Sequence, residues 1–292
     1  MKILVLGSKG QLGRCLLDQS NSCNHEIIFT SRNELDIEDM SSTEATFCLI
    51  NPDIVINATA YTSVDEAEGD PIKADLINNL AVSNMAETCA NLDCWLIHIS
   101  TDYVFDGNAS TPYLESNMTN PQSVYGASKL AGERSVIAAN PKYLIVRTSW
   151  IFSEYGNNFM KTMLRLGSQL KDIDIVDDQI GCPTYAQDLA KAVFGMISRL
   201  DDNRVSGIYH YCGTEPCTWF EFANEIFFQA KRVSFATPIK ITPIKTSEYL
   251  TRAKRPAYSV LDCTKVYNVF KLPLSNWRDG IKAVLAKSQA LN

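Results

Sequence analysis

A chain of 292 residues, 46% of them hydrophobic and 21% charged, has enough apolar surface for one large α/β domain or two modest ones. Its net charge of −6 comes from interspersed signs, which argues against the basic face of a nucleic-acid-binding protein. The nine cysteines form no Cys-x-x-Cys pair and are accompanied by only three histidines, so neither a zinc site nor a disulfide framework is expected.

Lys2 to Leu6 is a continuous apolar run closed by Gly7, the pattern of a strand buried on both faces. The run is too short for a signal-peptide core, and no stretch approaches the ~20 apolar residues that span a bilayer, so a cytoplasmic location is expected. A helix is predicted from Gln11 to Gln19, a strand from His25 to Thr30, a helix from Met40 to Ile50 and a strand from Ile54 to Ala58. One long helix is expected from about Ile72 to Asn91, then β-rich runs at Cys94–Ser100 and Tyr143–Thr148, with a helix around Tyr125 between them. This alternation predicts an α/β fold, a Rossmann-type doubly wound parallel sheet. After Trp150 the pattern loosens. Helices are expected at Asn158–Gln169, Ala186–Arg199, Thr218–Lys231 and Asn276–Lys287, with short strands at Asp172–Val176 and Gly207–Tyr211. Prolines 238, 243, 256 and 273 suggest a smaller lobe. The expected division is a dinucleotide-binding domain over 1–152 and a mainly substrate-binding lobe over 153–292, with segments after about 180 free to rejoin the sheet.

Gly7, Gly10 and Gly13 fall between the first strand and the first helix. Glycines there permit a tight turn and close approach of backbone to a pyrophosphate, while the helix start supplies amide donors, including those around Gln11 and Leu12. The spacing differs from G-x-G-x-x-G. At the end of the second strand, where an NAD-preferring site usually carries a carboxylate, the chain reads Thr30-Ser31-Arg32. Arg32 suits a 2′-phosphate, which favours NADPH and leaves NADH open; Asp36 and Ile37 are placed at the adenine edge.

Tyr125 and Lys129 stand four residues apart, about one helical turn, so both lie on one face. A cation beside the phenol would lower a pKa that is normally near ~10. Ser100-Thr101-Asp102 begins where the fourth strand ends, and a hydroxyl there can meet a substrate carbonyl beside Tyr125.

Together these segments resemble the extended short-chain dehydrogenase/reductase superfamily and, within it, the dTDP-4-dehydrorhamnose reductase family. The resemblance covers nearly the whole chain. It rests on the glycine loop, on Val55 to Asp65, on His98-Ile99-Ser100-Thr101-Asp102-Tyr103-Val104-Phe105 and on Tyr125 to Glu133. Arg147-Thr148-Ser149-Trp150, Gly156-Asn157-Asn158-Phe159, Asp178 to Thr184 and Arg255-Pro256 complete it. It implies NADPH-dependent reduction of the C4 ketone of dTDP-4-dehydro-β-L-rhamnose, with Tyr125 as proton donor. Lys129 would hold the nicotinamide ribose, and Thr101 with Asp102 would position the carbonyl. Ala58, Ala60 and Tyr61 would line the cofactor, and Trp150 would pack on the deoxysugar or the nicotinamide. Gln179, Pro183 and Thr184, with Arg252 and Arg255, would close over the nucleotide diphosphate. Where some members bind magnesium through a glutamate early in the first helix, this chain reads Arg14-Cys15-Leu16. A thiol is the wrong ligand for a hard cation, so no metal is expected. The chain is read as monomer or homodimer. Two other readings stay open: a reductase of another nucleotide-linked 4-ketosugar, and a non-catalytic regulatory subunit of the methionine adenosyltransferase type.

Overall fold

The computed structural model describes residues 1–290 except positions 22, 140–141, 201–204 and 239. Strands β1 (Lys2–Leu6), β2 (Glu26–Thr30), β3 (Ile54–Asn57), β4 (Trp95–Thr101), β5 (Tyr143–Thr148) and β10 (Gly207–His210) form one sheet, in the order β10-β5-β4-β3-β1-β2. Every pairing in it is parallel. The order reverses at β1 and β3, so the carboxyl ends of those strands open into the crevice where such sheets hold ligands.

Alternate residues of each strand serve opposite faces. Ile3, Val5, Ile54, Ile56, Ile97 and Leu144 join one buried cluster, which includes residues of α1 (Gln11–Ser20) and α8 (Ala186–Ile197). Leu4, Leu6, Val55, Leu96 and Ile145 join the other, with α2 (Met40–Ile50), α5 (Ala81–Asn91) and α6 (Val124–Ala139). A further cluster lies under α7 (Phe159–Gln169), α9 (Trp219–Arg232) and α11 (Trp277–Ala290), built on Phe152, Met160, Phe222 and Trp277. Seven of the nine cysteines are buried, and all nine are free thiols. Among the described residues no helix is long and apolar enough to cross a membrane.

The long helix expected from Ile72 to Asn91 is interrupted. It begins as α4 (Pro71–Asp75), passes through a π-helical turn at Leu76–Leu80 and continues as α5. The physical reason is Asn78. Its side chain exchanges hydrogen bonds with the Tyr61 backbone at 2.9 and 3.1 Å and donates to the Ser128 hydroxyl at 3.0 Å. A Cβ on Gly132 of α6 would stand 2.1 Å from the Asn78 carbonyl, so that helix crosses directly against the turn. Such single-turn π insertions recur at functional sites.

The strand expected at Asp172–Val176 is present, and short elements that the sequence pattern did not predict pair around it in the second half. Strand β7 (Asp172–Val176) pairs in parallel with β12 (Lys240–Ile244), as does β6 (Ile151–Phe152) with β9 (Thr184–Tyr185), whereas β8 (Ile180–Gly181) and β11 (Cys217–Thr218) pair antiparallel. Helices α3 (Val64–Ala67) and α10 (Thr264–Phe270) are likewise local additions.

Candidate active site

The glycine loop crosses the carboxyl end of β1. Gly7 has φ of +83° and its amide, like that of Ser8, donates to the Thr30 carbonyl at 3.0 Å. A Cβ at Gly13 would lie 2.1 Å from the Gly7 carbonyl oxygen, so the first turn of α1 packs directly on the loop. No side chain caps this helix, which leaves its first amides with the partial positive charge that attracts a pyrophosphate. The Leu12 side chain is buried in the core, so its contribution at the groove is its amide. Gln11 braces the loop from outside, accepting from Ser153 at 3.1 Å and from Asn158 at 2.9 Å. Asn158 also caps α7, which ties the Gly156-Asn157-Asn158-Phe159 segment to the cofactor loop.

Arg32 is 65% exposed at the end of β2 and paired with Asp36 at 3.4 Å and Glu38 at 2.5 Å. It is steered into place and still accessible to a phosphate. Ile37 belongs to the core. On the far wall Ala58 packs against the core, Thr59 is bound to Asn57, and the Asn78 side chain clamps the Tyr61 backbone.

At the carboxyl end of β4, the Thr101 hydroxyl donates to Asp102 at 3.0 Å and hydrogen-bonds the Tyr125 phenol. Tyr103 meets Tyr125 edge-on, ring centres 5.6 Å apart. A Cβ on Gly126 would sit 2.3 Å from the Tyr103 carbonyl, so only glycine lets α6 bring Tyr125 this close. The Lys129 Nζ donates to the Ile99 carbonyl at 2.7 Å and contacts His98 at 3.3 Å. The spacing therefore puts both groups on one face, but the expected lowering of the tyrosine pKa is not what results. Burial pushes the phenol well above its ordinary value, the Thr101 hydrogen bond opposing. Burial also lowers Lys129, to about 8.

Asp102 is buried; water exclusion raises its carboxyl to about 6, against hydrogen bonds from Ser259 and Thr101. Its Oδ2 and the Thr148 Oγ1 at the end of β5 are two of five buried side-chain atoms lacking a protein partner among the described residues. Two such atoms at neighbouring strand ends are what a polyhydroxylated ligand would satisfy. The raised carboxyl carries a stability consequence. Its folded pKa exceeds the ordinary value of 3.8, so ionisation opposes folding, and stability falls as pH rises through about 6. Asp102→Asn is expected to stabilise the protein by on the order of 2 kcal/mol near pH ~8, a gain that vanishes near pH ~4. Denaturant midpoints at the two pH values measure this, and an equal gain at both would refute it.

Trp150 has φ of +46°, a left-handed backbone that bulky residues rarely adopt. Its indole stacks on Trp219 at 3.4 Å and 6° between planes. A Cβ on Gly181 would lie 2.5 to 2.7 Å from three atoms of the same indole, so backbone covers its other face. Trp219, missed in the sequence reading, donates to Gln179 at 3.2 Å, and Gln179 in turn donates to Thr246 at 3.0 Å. A sugar meets Trp150 face-on only where Trp219 swings aside. Pro183 and Thr184 are buried behind this pair, Thr184 completely, rather than lining an open surface.

Arg255 donates to the Tyr103 hydroxyl at 3.2 Å and pairs with Asp65 at 2.6 Å. Asp65 also accepts the Ala253 amide at 3.0 Å. Arg252 is exposed beside Gly69. The two arginines flank the Tyr103 side of the crevice, with Arg255 already engaged. Asp65 closes the Val55–Asp65 segment that carries the family resemblance, whereas the only sequence signal for Asn78 was a polar residue inside a helix-forming run. Among the described residues no group of His, Cys, Asp and Glu is arranged to hold a metal ion.

A parallel sheet with a glycine loop on β1, and Thr101, Tyr125 and Lys129 converging at β4, defines a nicotinamide-dependent reductase of the short-chain dehydrogenase/reductase class. The family model described as the RmlD substrate binding domain matches residues 1–290. The dTDP-4-dehydrorhamnose reductase of Aggregatibacter actinomycetemcomitans is 40% identical, covering 99% of each chain. A crystal structure of a dTDP-4-dehydrorhamnose reductase from Clostridium acetobutylicum superposes with a TM-score of 0.92 at 38% identity, covering 99% of this chain and 100% of that one. That of Bacillus anthracis, in complex with NADP, has a TM-score of 0.91 at 37% identity, covering 98% and 99%. The chain belongs to the dTDP-4-dehydrorhamnose reductase family.

Proposed function

We propose that this chain reduces the C4 ketone of dTDP-4-dehydro-β-L-rhamnose to dTDP-L-rhamnose with NADPH, and that Tyr125 supplies the proton. The observation that carries the reading is the convergence of Thr101, Tyr125 and Lys129 at the carboxyl end of β4. When bound, the cofactor supplies the hydride. The chain's share is binding, orientation and one proton. The glycine loop and the open end of α1 would hold the pyrophosphate, and Arg32 the 2′-phosphate. Thr101 would orient the carbonyl oxygen toward the Tyr125 hydroxyl, and Asp102 with Thr148 would take sugar hydroxyls. Trp150, Trp219 and Gln179 would wall the deoxysugar, with Arg252 and Arg255 on the diphosphate side. In this arrangement residues 1–152 carry the cofactor, and most of 153–292 serves the substrate.

Loss of NADPH absorbance on mixing protein with dTDP-4-dehydro-β-L-rhamnose tests the reading; no oxidation at any protein concentration would refute it. Parallel assays with NADH and with other nucleotide-linked 4-ketosugars place the specificity. Gly13→Ala tests the cofactor site separately. Its methyl group would meet the Gly7 oxygen at 2.1 Å, so the loop must move, and affinity for NADPH is expected to fall at least ~10-fold for an overpacking cost of ~1–3 kcal/mol. Fluorescence titration with NADPH reads the loss; unchanged affinity would move the pyrophosphate elsewhere.

A further inference from the structure

We infer that Lys73 is a second cation for the 2′-phosphate of NADPH, gripping it together with Arg32. The inference rests on the reading that sets the adenosine end of the cofactor against β2, and it adds a residue from a different element.

The glycine loop fixes where the adenosine ribose must lie. The Gly7 and Ser8 amides both donate to the carbonyl of Thr30, the last residue of β2, two positions before Arg32. Of the carboxylates that follow β2, Glu34 is committed to Ser31, accepting its amide and its hydroxyl at 2.7 Å each.

Lys73 reaches this rim from α4. Its Nζ donates to one oxygen of Glu38 at 2.5 Å, and the Arg32 Nη2 donates to the other oxygen of the same carboxylate at 2.5 Å. Two cations thus meet across one carboxylate, whose oxygens are spaced much as those of a phosphate. A guanidinium fork and an ammonium that hold the one are placed to hold the other. Asp36 steadies the arrangement, accepting from the Arg32 Nε at 3.4 Å and from the Glu38 amide at 3.2 Å.

Donor capacity remains on both cations. An ammonium carries three N–H donors and a guanidinium five. Glu38 takes one from Lys73, and Glu38 with Asp36 takes two from Arg32. The side chains of Arg32 and Lys73 are 65% and 34% exposed against 17% for Glu38, so the cations stand outside the carboxylate that gathers them. An anion arriving from solvent meets donors first.

The local position of Lys73 points the same way. It is the third residue of the helical run that starts at Pro71, and the capping Asp70 side chain accepts its amide at 3.1 Å. A cation in a first helical turn opposes the helix dipole. A residue placed against a local rule is expected where a site requires it.

Fluorescence titration with NADPH and with NADH, which differ only in the 2′-phosphate, tests the inference. Lys73→Gln is expected to weaken NADPH ~10-fold and to leave NADH within ~2-fold of wild type. Equal losses for both cofactors, or no loss for NADPH, overturn it. A role in which Lys73 merely neutralises Glu38 is separated by repeating the change in a Glu38→Gln background. There Lys73→Gln is expected to cost NADPH affinity ~10-fold again, and no further loss overturns the direct contact. Arg32→Gln checks the underlying reading. If it weakens NADPH selectively and Lys73→Gln does not, the cofactor site stands and this inference falls. No titration needs the ketosugar, so the outcome is independent of the reductase assay.

Discussion

Tyr125→Phe is expected to lower turnover ~10²- to 10⁴-fold while leaving NADPH affinity near that of wild type. The substitution removes one oxygen and leaves the ring in its edge-on contact with Tyr103. The glycine loop and Arg32 lie on other strands, so the cofactor site keeps its shape. Single-turnover loss of NADPH absorbance measures the chemical step, and fluorescence titration measures binding. Turnover within a few-fold of wild type would remove Tyr125 from the proton path. Thr101→Ala is the natural comparison: it keeps the acid and releases the hydroxyl that links it to Asp102.

The largest stability loss is expected at Glu133, away from the reacting atoms. Its carboxylate takes two hydrogen bonds from Arg147, at 2.9 and 2.7 Å, and one from Ser100 at 2.5 Å. The two side chains are 1% and 3% exposed, and the guanidinium lies 5.1 Å above the Phe105 ring. Glu133→Ala leaves the arginine charge buried without its counterion, which typically costs ~3–5 kcal/mol. Replacing both partners together with apolar residues is expected to cost less than the single change, because no uncompensated charge remains. Chemical denaturation of the two single variants and the double variant reads the difference. A loss below ~1 kcal/mol for Glu133→Ala would mean that water reaches the pair.

Much of the fold was legible because local patterns and tertiary demands agree. The apolar runs at Ile3–Leu6, Ile54–Ile56 and Leu96–Ile99 could serve only a sheet covered on both faces, and the family assignment rests on matched motifs in their sequence order. The uninterrupted helix over 72–91 was misread because a π turn leaves no mark on hydrophobic periodicity. It exists for the sake of Asn78, whose partners are Tyr61 and Ser128. The lowered tyrosine pKa was misread for a related reason. Spacing says which side chains share a face, but it says nothing about what else bonds to them.

By itself the sequence determined the strand–helix alternation, the glycine loop and the meeting of Tyr125 with Lys129, since each depends on residues a few positions apart. The tertiary structure decided the rest. Arg255 reaches Asp65 across 190 residues, Trp150 is enclosed by Trp219 and Gly181, and Lys129 is buried against His98 and the Ile99 carbonyl of β4. Burial and the direction of a hydrogen bond are properties of a surrounding shell, and that shell exists only once distant segments have packed.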